Sequence, residues 1–169
     1  MDATRLRALQ APLKAKYNAD PAAARITLRA RGSTDQSGIS CKLETARAIA
    51  VAGLHPATGG TGLELCSGDL LLEALVACAG VTLKAVATAL HVPLVHADIT
   101  AEGDLDFRGT LGVDKAASVG FEAIRLQFDV QSNASEDALR DVLRLTERYC
   151  VVLQTLTKGV PVSTGLART

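Results

Sequence analysis

Tryptophan is missing from this 169-residue chain, and aromatic residues make up only 3% of it. That scarcity excludes an aromatic platform on which single-stranded bases could stack. An excess of charge of either sign is missing too: 18 Lys and Arg balance 18 Asp and Glu. Bulk electrostatics therefore draws the chain to neither nucleic acid nor anionic lipid. The N-terminal MDATRLRALQAPLKAKYNAD has no apolar core segment and no cleavage pattern, so it does not read as a signal peptide. Long apolar runs are also lacking. The richest, residues 70–90, has an uncharged part, Ala74–Leu83, of ten residues, against roughly 20 needed to span a bilayer. It reads as a core helix, and no membrane partner is expected.

The four cysteines, Cys41, Cys66, Cys78 and Cys150, include no C-x-x-C pair, and no His/Cys cluster accompanies them. The spacing argues against structural zinc, and no metal or cofactor is expected. A cytoplasmic location is expected, where a structural disulfide framework would not persist. The length suits a single domain, 21–169, preceded by an amphipathic helical extension, 1–20.

Hydrophobic spacing then orders the elements. Leu6, Leu9 and Leu13 mark a surface helix over 3–17. Residues 24–31, ARITLRAR, alternate, with Ile26, Leu28 and Ala30 on one face and Arg25, Thr27, Arg29 and Arg31 on the other. With ISCKLE after a turn-rich GSTDQSG, residues 24–44 read as a hairpin. ARAIAV is a candidate further strand, and GLHPATGGTG a loop. A long helix follows, with Ser67 or Asp69 as its cap and Pro93 beyond its end. Its apolar residues surround the axis, so it must be enclosed on all sides; one sheet covers one face, and further helices or a second subunit must cover the rest. LVHADITAEGDLDFRG and GFEAIRLQFDVQS alternate as two antiparallel strands. A helix capped by Ser135 comes next, then CVVLQTLTKG as its continuation or a second short helix ending at Gly159, and VPVST as a last strand. The order gives an α+β architecture.

Cys78 sits in the middle of the long apolar helix. A free cysteine there is ordinarily inert filler, and burial raises a thiol's pKa. Reactivity would require a nearby cation, which the strand bearing Arg25, Arg29 and Arg31 could supply.

GDLLLEALVACAGVTL resembles the central-helix motif of the OsmC/Ohr family, in which an acidic residue and leucines precede a small-residue run ending in a reactive cysteine. ERYCVVLQTL resembles that family's second cysteine motif, C-P-V, and EGDLDFRGTLG with GFEAIRLQFDV its paired strands. The likeness spans about residues 24–165. It implies an intertwined homodimer with antiparallel sheets wrapped around long central helices. It also implies reduction of organic hydroperoxides by a Cys78 thiolate, with Cys150 as the resolving thiol and an external dithiol as reductant. Arg31, or else Arg29, would be the activating cation.

Two positions depart from the family pattern. The proline of C-P-V is Val151, and the glutamate ten residues before the reactive cysteine is Gly68, with Asp69 beside it as the acidic residue of a less-studied branch. Asp69 is then either part of the site or a helix cap. These departures keep open an OsmC-like protein without peroxidase activity that binds a small apolar ligand in the dimer cleft, and a structural dimer whose cysteines only fill the core. Glu73 and Lys84, eleven residues apart, need partners or an exit to solvent. His55 is the histidine expected nearest the thiol, and Cys66 stands at the helix entrance.

Overall fold

The computed structural model describes residues 3–34, 41–43, 53–63 and 66–166, with backbone alone for 3–7, 9–10, 26–34 and 41–43. In chain order the elements are α1 (Ala3–Ala19), β1 (Arg25–Thr34), β2 (Cys41–Leu43), α2 (Ser67–Ala89), β3 (His96–Asp106), the single helical turn α3 (Phe107–Thr110), β4 (Ala123–Gln131), α4 (Glu136–Tyr149) and α5 (Val151–Lys158). The α+β class and the 24–44 hairpin expected from the alternation are present. The candidate strand ARAIAV lies outside the described residues.

The strands form one antiparallel sheet in the order β2-β1-β3-β4. Strand alternation sorts its two faces. Ala97, Ile99 and Ala101 of β3 are fully buried and stand beside Val130, Phe128 and Leu126 of β4. This row packs with Leu72, Leu75 and Val76 of α2 and Val142 of α4 in one core. The opposite row is polar: Arg125 binds Asp104 at 2.5 Å and reaches Glu102 at 3.4 Å. At Gly103 a side chain would meet the Phe121 ring at 2.4 Å, so the missing Cβ lets that ring lie across the sheet.

Helix α2 begins one cap earlier than expected. Its N-cap is Cys66, with no side-chain hydrogen bond, and Ser67 and Asp69 lie within the first turn. By length and composition α2 could cross a membrane, yet eight of its residues are buried in this fold. The sheet, α4 and α5 cover one side of it. A stripe beside this covered side holds Leu71, Ala74, Cys78, Val81, Ala85 and Thr88, exposed or half-buried, with Cys78 at its border with the core and Leu71 and Val81 more than a third exposed. Their spacing alternates three and four residues, the repeat of a helix–helix seam.

Ser135 caps α4 through the Ala138 N–H, as expected. The polypeptide then breaks at Cys150 and restarts as α5. Residues 160–164, expected as a strand, form none and are exposed; a strand holds only where a neighbour completes its ladder. Between β4 and α4–α5 runs a groove of about 540 Å³ lined by Leu75, Phe121, Ile124, Leu126, Leu153 and Leu156, among others. At the far end, α1 is fastened by Tyr17, which is buried with Ala24, Phe107 and Leu111 and donates its hydroxyl to the Ala57 carbonyl at 2.7 Å.

Candidate active site

Three elements build the site. Helix α2 brings Cys78 and, one turn later, Thr82. The junction of α4 and α5 brings Cys150. Helix α5 brings the amides of its first turn. Cys150 belongs to both of its helices: its N–H donates to the Thr146 carbonyl, and its own carbonyl accepts from Gln154. Its backbone is extended, at φ −70° and ψ 105°, which turns the chain and points the start of α5 at α2.

No side chain caps α5, so its leading N–H groups need other partners. They face sulfur. The Val151 and Val152 N–H groups, the Thr82 hydroxyl and the Cys150 thiol stand near enough to Cys78 to favour its thiolate, and the Leu153 and Val152 N–H groups do the same for Cys150. The two cysteines, 72 positions apart in sequence, are thus neighbours, with both thiols free.

The surroundings split the pair. Burial pushes the Cys78 thiol upward, but the Val152 N–H, the Cys150 thiol, the Val151 N–H and the Thr82 hydroxyl together outweigh it and hold Cys78 below the ordinary thiol range. Cys150 is fully buried. That burial, with Cys78 beside it, pushes its thiol up to about 11 against the opposing N–H groups of Leu153 and Val152. Of the two, Cys78 is therefore the thiol that ionises first, beside the positive end of a helix.

Among the described residues, the groups that lower Cys78 are neutral donors. Arg29 and Arg31 occupy register positions opposite Glu102 and Thr100, alternating with Leu28 and Ala30; their side chains lie outside what the structure describes. Asp69 is apart from the thiol, nine residues back along α2, or roughly 13 Å of helix.

Asp69 sits with His55 and Glu73. Burial raises its carboxyl, partly offset by the charge of His55. Burial likewise lowers His55, partly offset by Asp69, and Glu73 is raised by burial and by repulsion from Asp69. The His55 Nδ1 accepts the Ala57 N–H at 3.0 Å, and the ring stacks on Phe107 with centroids 5.0 Å apart. His55 thus neighbours Cys66 across a cleft of about 370 Å³, not Cys78. Among the described residues no group of His, Cys, Asp and Glu could hold a metal ion.

Comparison with known proteins gives the same picture of the fold. No curated protein matches the chain. An OsmC-like hydroperoxide resistance protein from Jannaschia sp. CCS1 superposes with a TM-score of 0.63 at 14% identity, over 86% of this chain and 95% of that one. An OsmC-like protein from Mycoplasma pneumoniae does so with a TM-score of 0.54 at 18% identity, over 80% of this chain and 86% of that one. The family profile described as OsmC-like protein matches residues 60–165, a span that includes Cys78, Thr82, Cys150 and Val151, and the chain belongs to that family.

Proposed function

We propose that the protein is a dithiol-dependent peroxidase for organic hydroperoxides. The observation behind this reading is the Cys78–Cys150 pair at the start of α5, the Cys78 thiol held below the ordinary range and the Cys150 thiol raised above it. The Cys78 thiolate attacks the distal oxygen of the hydroperoxide. The O–O bond breaks, the alkoxide leaves and takes a proton to become an alcohol, and Cys78 is oxidised to a sulfenic acid. With the charge on Cys78 gone, one cause of the raised Cys150 pKa goes with it. Cys150 loses its proton, its sulfur displaces hydroxide from the sulfenic sulfur, and a disulfide and water result. An external dithiol then reduces the disulfide by two exchange steps and leaves oxidised itself. This cycle suits a reducing compartment such as the cytoplasm.

The working unit in this reading is a homodimer. The stripe Leu71–Ala74–Cys78–Val81–Ala85–Thr88 is apolar and open, its small residues allow close helix approach, and a second copy of α2 is the partner with a matching surface. Cys78 would then lie at the seam, roofed by apolar surface from both subunits, which favours alkyl hydroperoxides over hydrogen peroxide.

The test is hydroperoxide consumption by reduced protein with dithiothreitol. The wild type turns over; Cys78→Ser abolishes turnover; one equivalent of cumene hydroperoxide gives a peptide cross-linked through Cys78 and Cys150 in the mass spectrum. Consumption at the rate of dithiothreitol alone sinks the reading. The 540 Å³ apolar groove favours the other reading, binding of a small apolar ligand without chemistry, which that null result together with retention of such a ligand would establish.

A further inference from the structure

Glu147 is the last acidic residue of the sequence: from Arg148 to Thr169 there are Arg148, Lys158 and Arg168 and no Asp or Glu. The balanced total of the chain conceals this cationic end. Among the described residues, Arg25, Arg108, Arg125, Arg140 and Arg144 each form an ion pair with a carboxylate. Arg148 has no such pair, and its guanidinium lies over the Tyr149 ring, 5.6 Å from the centroid.

The barest apolar side chains stand in the same stretch. Among the described residues the three most exposed large ones are Leu166, Val162 and Val151, at 92, 82 and 71%. Tyr149 and Val160 are more than half exposed. Val151, Thr155 and Lys158 recur at the spacing of one helix face and form the outer face of α5, while Leu153 and Leu156 line the groove on its inner side. An open dish of about 410 Å³ there holds Tyr149, Val151 and Val160 together with Arg148 and Lys158, and no carboxylate lines it. Residues 159–166 are all exposed and form neither helix nor strand. Single apolar side chains at a surface need no explanation, but a group of them with charge of one sign marks an interaction surface.

We propose that the outer face of α5 and the segment after it, residues 148–166, dock the protein on an anionic lipid surface. Val151, Val160, Val162 and Leu166 enter the headgroup boundary, and Arg148 and Lys158 rest on anionic headgroups. A fluid bilayer demands no matching contour, which suits side chains standing out from an irregular segment; a protein partner packs against fixed shapes. Tyr149, apolar in its ring and polar at its hydroxyl, is suited to the boundary between the two media. A modest apolar anchor combined with cations gives reversible attachment to such a surface. The proposal goes beyond the peroxidase reading and does not depend on it.

The test is co-sedimentation of the full chain with vesicles of phosphatidylcholine alone and of phosphatidylcholine with phosphatidylglycerol at about two to one. The wild type should be retained on the mixed vesicles and not on the neutral ones. Retention should weaken between roughly 0.01 and 0.1 M salt, as the screening length falls from about 30 to about 10 Å. Arg148→Gln and Lys158→Gln should each lower the affinity about fivefold. Val162→Glu with Leu166→Glu should abolish retention at both salt levels, with circular dichroism unchanged because both side chains already reach solvent. Cys78→Ser should bind as the wild type does, so failure of the peroxidase reading leaves this one standing. No retention of the wild type on mixed vesicles at low salt overturns the proposal, as does equal retention of the Arg148→Gln, Lys158→Gln double variant. If the wild type ignores vesicles and the Val162→Glu, Leu166→Glu variant turns a dimer into a monomer in sedimentation velocity, the surface belongs to a second copy of the chain and the lipid proposal falls.

Discussion

At the scale of single residues, the site depends on where one proton rests. The folded-state pKa of Cys78 is depressed, so its thiolate adds stability fully above the ordinary thiol range, and that contribution fades as pH falls through the depressed value. Cys150 runs the other way: raised to about 11, it favours the folded state below the ordinary thiol range and costs stability as pH climbs through 11. A carboxylate follows the Cys78 sign. Asp106 is buried, accepts from the Arg108 side chain at Oδ2 at 2.9 and 2.6 Å and at Oδ1 at 3.1 Å, and caps α3 through the Arg108 N–H. Its hydrogen bonds from the Arg108 side chain outweigh burial and hold its carboxyl below the usual range. The stability it supplies is present above that range and lost as pH falls through the lowered value. Asp106→Asn should lower the melting temperature at pH 7, and the gap from wild type should close as pH falls toward 2; a constant gap across that range would refute the linkage. The depressed Cys78 pKa was not legible in the sequence, because the largest group lowering it is the Val152 backbone amide, and an amide leaves no mark on a sequence.

At the scale of elements, the short helix α5 explains a departure from the family pattern. Val151 stands where that pattern has proline, and its N–H is among the groups that lower Cys78; proline has no N–H to give. Proline would fit the backbone, because the first position of a helix accepts it and Cys150, at φ −70° and ψ 105°, already has the extended form a residue before proline adopts. Val151→Pro should therefore fold with wild-type circular dichroism and yet raise the Cys78 alkylation midpoint by about half a unit to one unit, as expected for one lost hydrogen bond of about 1 kcal/mol. An unchanged midpoint would mean that the Val152 amide alone suffices. The strand pattern was legible in advance, down to the face on which each residue stands. That same alternation put Arg29 and Arg31 at the register positions between Leu28 and Ala30 of the core row. The break at Cys150 was legible only as an alternative, since ERYCVVLQTL suits one helix or two. Docking against α2 decides between them.

At the scale of the whole molecule, half of the argument from apolarity is met within one chain and half outside it. The sheet, α4 and α5 cover one side of α2, while Leu71 and Val81 remain more than a third exposed on the other. Burying such a stripe against its own copy would remove several leucine- and valine-sized surfaces from water, at about 25 cal/mol per Å². Val81→Glu should leave the monomer fold intact, because the side chain already reaches solvent, and should convert a dimer to a monomer in sedimentation velocity. A wild type that sediments as a monomer at micromolar concentration would remove the seam. Sequence reasoning reached this point through the all-round apolarity of residues 70–90. It could not say which side the chain itself would cover, since that depends on how α4 and α5 fold back.

In the proposed cycle, the complete enclosure of Cys150 would set the direction of repair. An incoming reductant would have no line of approach to that sulfur, so its first bond would form at residue 78, and the sulfur expelled would be that of residue 150. A departing thiol with a high proton affinity leaves slowly, so the oxidised protein should persist long enough to be isolated. A bulky monothiol should be caught as an adduct at position 78 and never at position 150.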